Sequence, residues 1–352
     1  MADPAPAATA VCPECGTELA PSLLSCPACH GLVHAGELKT LALQAEEKQA
    51  AGDVTGALSA WRRALERLPQ GSRQHAKVAE RAAALSARVD AGEGGPAKAT
   101  AAGRPGWVRR FGPLGVIALL AWKLKFVVVF VLTKAKLLLL GLTKSGTLLS
   151  MLASLGVYWT AFGWTFALGL VLSMYVHEMG HVAALQRFGI RATAPMFVPG
   201  LGAFVRLNQY PASAVEDARV GLAGPLWGLG AVAFAYAGFL ATAIPVWAAV
   251  AHFGAWLDLF NLVPVWQLDG GRGFRALSRA QRFVVVAACG AAFFFTGDGL
   301  LGLLAIVGGV RAAAGTGAPQ GDSRTLVEFL VLVAGLSAFL NVASLLPASL
   351  PP

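Results

Sequence analysis

VLSMYVHEMGHVAALQR, residues 171–187, closes an apolar run that extends from Ser145 to Val176 without one charged side chain. On a helix, residues four apart share a face, so His177 and His181 project together with Glu178 one position round. Two imidazoles so placed can hold one metal ion, and the neighbouring carboxylate can take a proton from water. Ionisable groups at membrane depth are costly unless paired or liganded, so three of them on one apolar helix mark a functional site. The competing reading is an interfacial helix end whose polar residues simply meet water.

A second constellation lies downstream. Asn261-Leu262-Val263-Pro264, then Val265-Trp266-Gln267-Leu268-Asp269-Gly270-Gly271, closes another apolar run. A carboxylate from Asp269 completes a tetrahedral set with two imidazoles and water, and the glycines permit close approach. Pro264 interrupts the helical hydrogen-bond ladder, so the chain before Asp269 need not stay helical. Read alone, either half would be a turn.

Together the two motifs resemble those of the site-2 protease family, intramembrane zinc metalloproteases with H-E-x-x-H on one transmembrane helix and N-x-x-P-x-x-x-L-D-G on a later one. Every letter of both is present, and the resemblance runs from about Lys134 to Arg275. It implies that His177, His181 and Asp269 bind a catalytic zinc, that Glu178 is general base and acid, and that Asn261 holds substrate or the developing oxyanion. It also implies membrane-protein substrates and regulated intramembrane proteolysis, with a membrane-anchored regulator such as an anti-sigma factor as the expected target. Between the motifs, Gly221-Leu222-Ala223-Gly224-Pro225 matches the family, but Gly228 stands where G-P-x-x-N has asparagine. Only about thirty residues separate Gln186 from Glu216, which leaves no room for the peptide-binding insert some members carry.

Composition independently indicates a membrane protein: 56% hydrophobic and 13% charged residues over 352, with mean hydropathy +0.62. Soluble chains are rarely so apolar. Met1 to Ala10 lacks a basic start and an apolar core, so no cleavable signal is expected there. The net charge of +9 is matched by Lys98, Arg104, Arg109, Arg110, Lys123, Lys125, Lys134, Lys136 and Lys144, in a stretch free of acidic residues. The apolar runs Phe126 to Leu132 and Leu137 to Leu142 fall far short of the roughly 20 residues a span needs. They are expected along the bilayer surface, where basic amphipathic helices meet anionic lipid, in preference to nucleic acid; the alternative is plain flanking charge.

Spans follow from the apolar runs. Ser145 to Val176 allows two, breaking near Tyr158 to Trp164; a third covers about Ala218 to Ala243 and a fourth about Val246 to Leu268. Phe283 to Phe295, Leu300 to Val310 and Thr325 to Leu346 add two or three. Arg187, Arg191 and Arg206 after the first motif, and Arg272, Arg275, Arg279 and Arg282 after the second, place both ligand-bearing ends on the cytoplasmic side by their positive charge. The segment Thr193 to Leu207, with Pro195, Pro199, Gly200 and Gly202, reads as a hairpin beside the metal or as a surface loop. As a hairpin it could hold an unwound substrate as an added strand.

The N-terminal region carries two more signals. Cys12-Pro13-Glu14-Cys15 and Cys26-Pro27-Ala28-Cys29 suit a structural zinc, without which so short a segment has no core. Disulfides are the alternative, disfavoured by a cytoplasmic terminus. His30 reads as a spare ligand or a solvated neighbour, and Cys289 as an apolar core residue. Glu37 to Val89 reads as helices, with Ala57, Trp61, Ala64, Leu65 and Pro69 at the spacing of a tetratricopeptide repeat and Gly52 near its turn. Such a segment is an adaptor for a protein partner or a packed spacer. Among other charged groups, Glu216 and Asp217 read as helix-start carboxylates, His252 and Asp298 as interfacial, and Asp258 as a partner that orients a zinc histidine.

The expected architecture is mainly α: a polytopic transmembrane bundle of about six spans with a small zinc ribbon and a soluble helical hairpin. The expected division is ribbon 1–35, tetratricopeptide-like helices 36–90, flexible linker 91–106, basic interfacial region 107–144, metalloprotease core 145–280 and C-terminal transmembrane helices 281–352. The expected function is a membrane-embedded zinc metalloendopeptidase with one catalytic and one structural Zn2+, multi-pass in the cell membrane, its N-terminus cytoplasmic. Its expected partners are a membrane-protein substrate, the lipid bilayer and a protein bound through residues 1–90. The alternatives are a non-catalytic membrane scaffold and a metal-binding or transport protein; neither needs Glu178.

Overall fold

The computed structural model describes residues 10–20, 22–93, 145–193, 195–200, 202–205, 209–315 and 317–340. The basic region 107–144, most of the linker and the end of the chain beyond residue 340 lie outside the described residues.

The chain separates into two compact units. In the first, β1 (Ala10–Val11) and β2 (Glu18–Leu19) pair antiparallel and three helices follow, α1 (Ala35–Ala50), α2 (Val54–Glu66) and α3 (Arg73–Asp90). Gly52 turns the chain at φ 78°, a conformation glycine adopts without steric cost. Asp53 then caps α2 by accepting from the Gly56 amide at 2.8 Å, and Ser72 caps α3 through the His75 amide at 3.1 Å. Apolar residues one helical turn apart on α2, Ala57, Trp61 and Ala64, are buried with Leu41, Ala45 and Leu85 from its neighbours. Arg81 lies over the Trp61 ring at 5.1 Å.

The second unit contains α4 (Ser145–Phe162), α5 (Trp164–Arg187), the antiparallel pair β3 (Met196–Val198) and β4 (Gly202–Phe204), then α6 (Ala214–Thr242), α7 (Pro245–Asn261), α8 (Asp269–Arg275), α9 (Arg279–Thr296), α10 (Gly299–Ala314) and α11 (Ser323–Leu340). Gly163, at φ 82°, separates α4 from α5. Ser213 caps α6 and its first turn carries Glu216 and Asp217, the charge the helix dipole favours. Pro245 opens α7, where its missing N–H costs nothing. Ser278 and Gln281 form a capping box on α9.

One correction concerns α7. The fourth apolar run reads as one span to Leu268, but the helix stops at Asn261, and Leu262 to Leu268 is a turn before α8. Pro264 has no N–H to continue the ladder, and Trp266 takes φ 43°. Asp269 consequently heads a new short helix and turns back toward α5.

Four described helices are long and apolar enough to cross a membrane: α5, α6, α9 and α11; Gly146–Phe162 and Gly299–Ala314 are shorter apolar helices. Leu222, Leu259, Leu262, Leu301, Phe329 and Leu332 fill the interior of this bundle. Its outer faces also carry large apolar side chains, among them Trp159, Trp164, Phe234, Phe294, Phe295 and Ile306, all exposed. Water would not favour so much apolar surface, whereas hydrocarbon does. His252 donates from Nδ1 to the Leu340 carbonyl, 2.6 Å away, and so serves a helix contact rather than the metal-ligand group.

Candidate metal centre and active site

α5 brings His177 and His181 to one face one turn apart, and α8 brings Asp269 against them. The three facing atoms form a nearly equilateral triangle. His177 Nε2 to His181 Nε2 is 3.2 Å, His177 Nε2 to Asp269 Oδ2 is 3.2 Å, and His181 Nε2 to Asp269 Oδ2 is 3.3 Å. Ligands about 2.0–2.1 Å from a tetrahedral zinc are separated by about 3.3–3.4 Å, so this triangle is one face of such a site. All three residues are buried.

The other ring nitrogens make the fit more specific. His181 Nδ1 lies 2.8 Å from the Val220 carbonyl, which only accepts, so Nδ1 carries the proton and Nε2 of the neutral ring presents a lone pair to the triangle. His177 Nδ1 lies 2.7 Å from Asp258 Oδ1, with the same consequence. Both imidazoles are thereby fixed as donors to a metal.

Close helix approach creates the space. A Cβ at Gly180 would stand 2.3 Å from the Ala223 carbonyl oxygen, and one at Gly224 would stand 2.2 Å from His181 Nε2 and 2.7 Å from His177 Nε2. α8 is held to α6 by Asp217, which accepts from Arg272 Nε at 2.8 Å and from Arg275. Asp217 is therefore the anchor of the helix that carries Asp269, a tertiary role added to its position in the first turn of α6. Glu216 stays at the helix start, where its carboxylate accepts from the Ala212 amide.

Two cavities reach this centre. The larger, about 1140 Å³, is lined by His177, Glu178 and Asp269 together with Trp266, Arg272 and Arg275. The smaller, about 430 Å³, meets His177 and Glu178 from an aromatic side that includes Tyr158, Phe162 and Trp256. Glu178 and Asn261 line both. Ala203 of β4 also lines both, so the segment left open between loop and hairpin is a hairpin bordering the site.

Residues 165–244 match peptidase family M50. This segment contains His177, Glu178 and His181; Asp258 and Asp269 lie beyond it. Over 113 residues the chain is also 28% identical to a zinc metalloprotease of Methanocaldococcus jannaschii, a match covering 31% of this chain and 32% of that relative. The chain thus spans about a third of the length of the curated relative it matches. No solved structure matches.

In the N-terminal unit, Cys12, Cys15, Cys26 and Cys29 converge as a second group able to hold a metal. Cys12 Sγ lies 3.6 Å from Cys29 Sγ, and Cys15 Sγ 3.6 Å from Cys26 Sγ. These separations suit thiolates around one zinc and far exceed a disulfide bond; the cysteines are free. Two matching turns present them: the Gly16 amide donates to the Cys12 carbonyl and the His30 amide to the Cys26 carbonyl. The Thr17 hydroxyl and then its amide hold the Cys15 thiol down to about 6, toward the thiolate a metal needs. His30 takes φ 58° where the first turn has Gly16 at φ 74°, so it occupies a turn position and stands outside the ligand group. Cys289 is buried in the helical core.

Proposed function

We propose that the chain is an intramembrane zinc metalloendopeptidase of the site-2 protease type, hydrolysing peptide bonds in or beside transmembrane segments of membrane proteins. His177, His181 and Asp269 hold the catalytic zinc, and Cys12, Cys15, Cys26 and Cys29 a structural one. The observation that carries this reading is the buried triangle of Nε2, Nε2 and Oδ2 atoms, with both Nδ1 atoms engaged on the far side and Glu178 next in sequence.

Zinc bound there supplies Lewis-acid polarisation of the scissile carbonyl and makes water acidic near neutral pH. Glu178, opening on both cavities, takes the water proton and returns it to the leaving amine. Asn261 lines the same two cavities, which supports a role in donating to the substrate carbonyl oxygen. A substrate helix must unwind before attack, because its carbonyls are engaged in its own hydrogen bonds. The β3–β4 pair, bordering the site at Ala203, offers a strand for the unwound segment to pair with.

The protein lies as a multi-pass protein in the cell membrane with its N-terminus cytoplasmic, the orientation favoured by Arg272, Arg275, Arg279 and Arg282 after Asp269. Residues 1–90 recruit a protein partner. A scaffold has no use for Glu178, and a transporter needs a path, whereas these ligands converge on one point.

The test is cleavage of a single-pass model substrate by the full chain in lipid vesicles. Zinc-loaded protein cuts it; a strong chelator abolishes cutting, and stoichiometric zinc restores it. Cleavage that survives complete zinc removal overturns the proposal.

A further inference from the structure

Asp258 is a buried acid on α7, a helix that otherwise presents apolar residues to the core. Its Oδ1 lies 2.7 Å from His177 Nδ1, on the side of the ring away from Asp269. Its Oδ2 is buried with no hydrogen-bond partner among the described residues. Gly228 of α6 faces this carboxylate so closely that a Cβ there would stand 2.1 Å from Oδ2 and 2.6 Å from Cγ. Any larger residue at 228 would need the room the carboxylate occupies.

From this pairing we propose that Asp258 is the positioning residue for the metal at His177, and that Gly228 is glycine because it houses the Asp258 carboxylate. The inference rests on the metal site proposed above. Asp258 does two things. Its oxygen fixes the His177 tautomer and ring orientation, so Nε2 is aimed before any ion arrives. Its negative charge, with that of Asp269, also balances a doubly charged ion among buried ligands. Neither Glu178 nor the Val220 carbonyl can replace it at Nδ1, since the first is one residue round the helix and the second serves His181.

Substitutions at the two positions separate these roles. Asp258→Asn keeps an oxygen for Nδ1–H but removes the charge, whereas Asp258→Gly removes both. Gly228→Asn alone collides with Asp258, yet in the Asp258→Gly background its side chain enters the vacated space and can itself accept from His177. The measurement is zinc affinity by chelator competition, on the full chain with Cys12, Cys15, Cys26 and Cys29 changed to serine so that only the His177 site contributes, with the visible spectrum of the cobalt-substituted protein reporting geometry.

We expect Asp258→Gly to weaken the site by about 10–100-fold, Asp258→Asn less, and Gly228→Asn as much as Asp258→Gly. The double variant Gly228→Asn/Asp258→Gly should recover most of the affinity and a wild-type-like cobalt spectrum, an interaction of the kind adjacent residues show. An Asp258→Gly protein with unchanged affinity and spectrum overturns the inference. So does a double variant whose losses simply add. If the wild type takes up no metal at His177, the metal site itself fails and this inference falls with it; unaltered wild-type binding with an indifferent Asp258 sinks the inference alone.

Discussion

Replacing Gly224 by alanine should empty the catalytic metal site while leaving the bundle folded. The added methyl would stand 2.2 Å from His181 Nε2 and 2.7 Å from His177 Nε2, the two atoms that face the metal. An ordinary carbon contact needs more than 3.4 Å, so either helix α6 backs away or the imidazoles turn. Overpacking of this kind typically costs about 1–3 kcal/mol, which a bundle with this core can absorb. The site cannot absorb it, because a 1 Å displacement breaks a geometry defined by three contacts of about 2 Å. We expect zinc affinity to fall by at least about 100-fold and cleavage to be lost with it, while helical content by circular dichroism stays that of wild type. Gly230, on the same helix with open space around its Cβ position, is the control: Gly230→Ala should change neither.

Replacing Glu178 by glutamine should separate binding from catalysis. The amide has almost the same shape as the carboxylate and Glu178 is not a member of the ligand triangle, so zinc content should match wild type. Under the proposed mechanism, what is lost is the capacity to accept a proton from water and pass it to the leaving amine. General acid and base catalysis contributes about 10²–10⁴-fold, and one group here serves both transfers, so kcat should fall by about 10³-fold or more. KM should change little, since Glu178 makes no contact assigned to substrate binding. An inactive variant with bound zinc and intact substrate affinity would also retain substrates, giving a means of capturing the natural ones.

The parts of the site legible in sequence are those governed by local rules. His177 and His181 share a face because they are four apart on a helix, and Asp269 stands out once its motif, a turn when read alone, is paired with the first. Cys12, Cys15, Cys26 and Cys29 are similarly announced by spacing. The break at Gly163 falls within the interval that the length of the apolar run requires. What stayed hidden depends on which helices touch. The Val220 carbonyl at His181 and the glycine contacts at 224 and 228 exist only because α6 crosses α5 and α7 at close range. Asp217 reads as a helix-start acid, and its hold on Arg272 needs the 55-residue return of the chain. The fourth apolar run gave a span to Leu268 because hydropathy ignores backbone hydrogen bonds, whereas Pro264 and the Trp266 backbone end the helix at Asn261. The Thr193 to Leu207 segment was ambiguous for the same reason: prolines and glycines exclude helix but do not choose between hairpin and loop.

The central claim is that one zinc is held by His177, His181 and Asp269. X-ray absorption at the zinc edge tests it most directly, on a full-length variant with Cys12, Cys15, Cys26 and Cys29 all changed to serine so that only the membrane-side metal contributes. The account predicts one zinc per chain with two imidazole nitrogens at about 2.0–2.1 Å, oxygen in the remaining positions, no sulfur, and loss of the metal on Asp269→Ala. A protein that binds no zinc, or a signal with fewer than two imidazoles that is indifferent to Asp269, would contradict it.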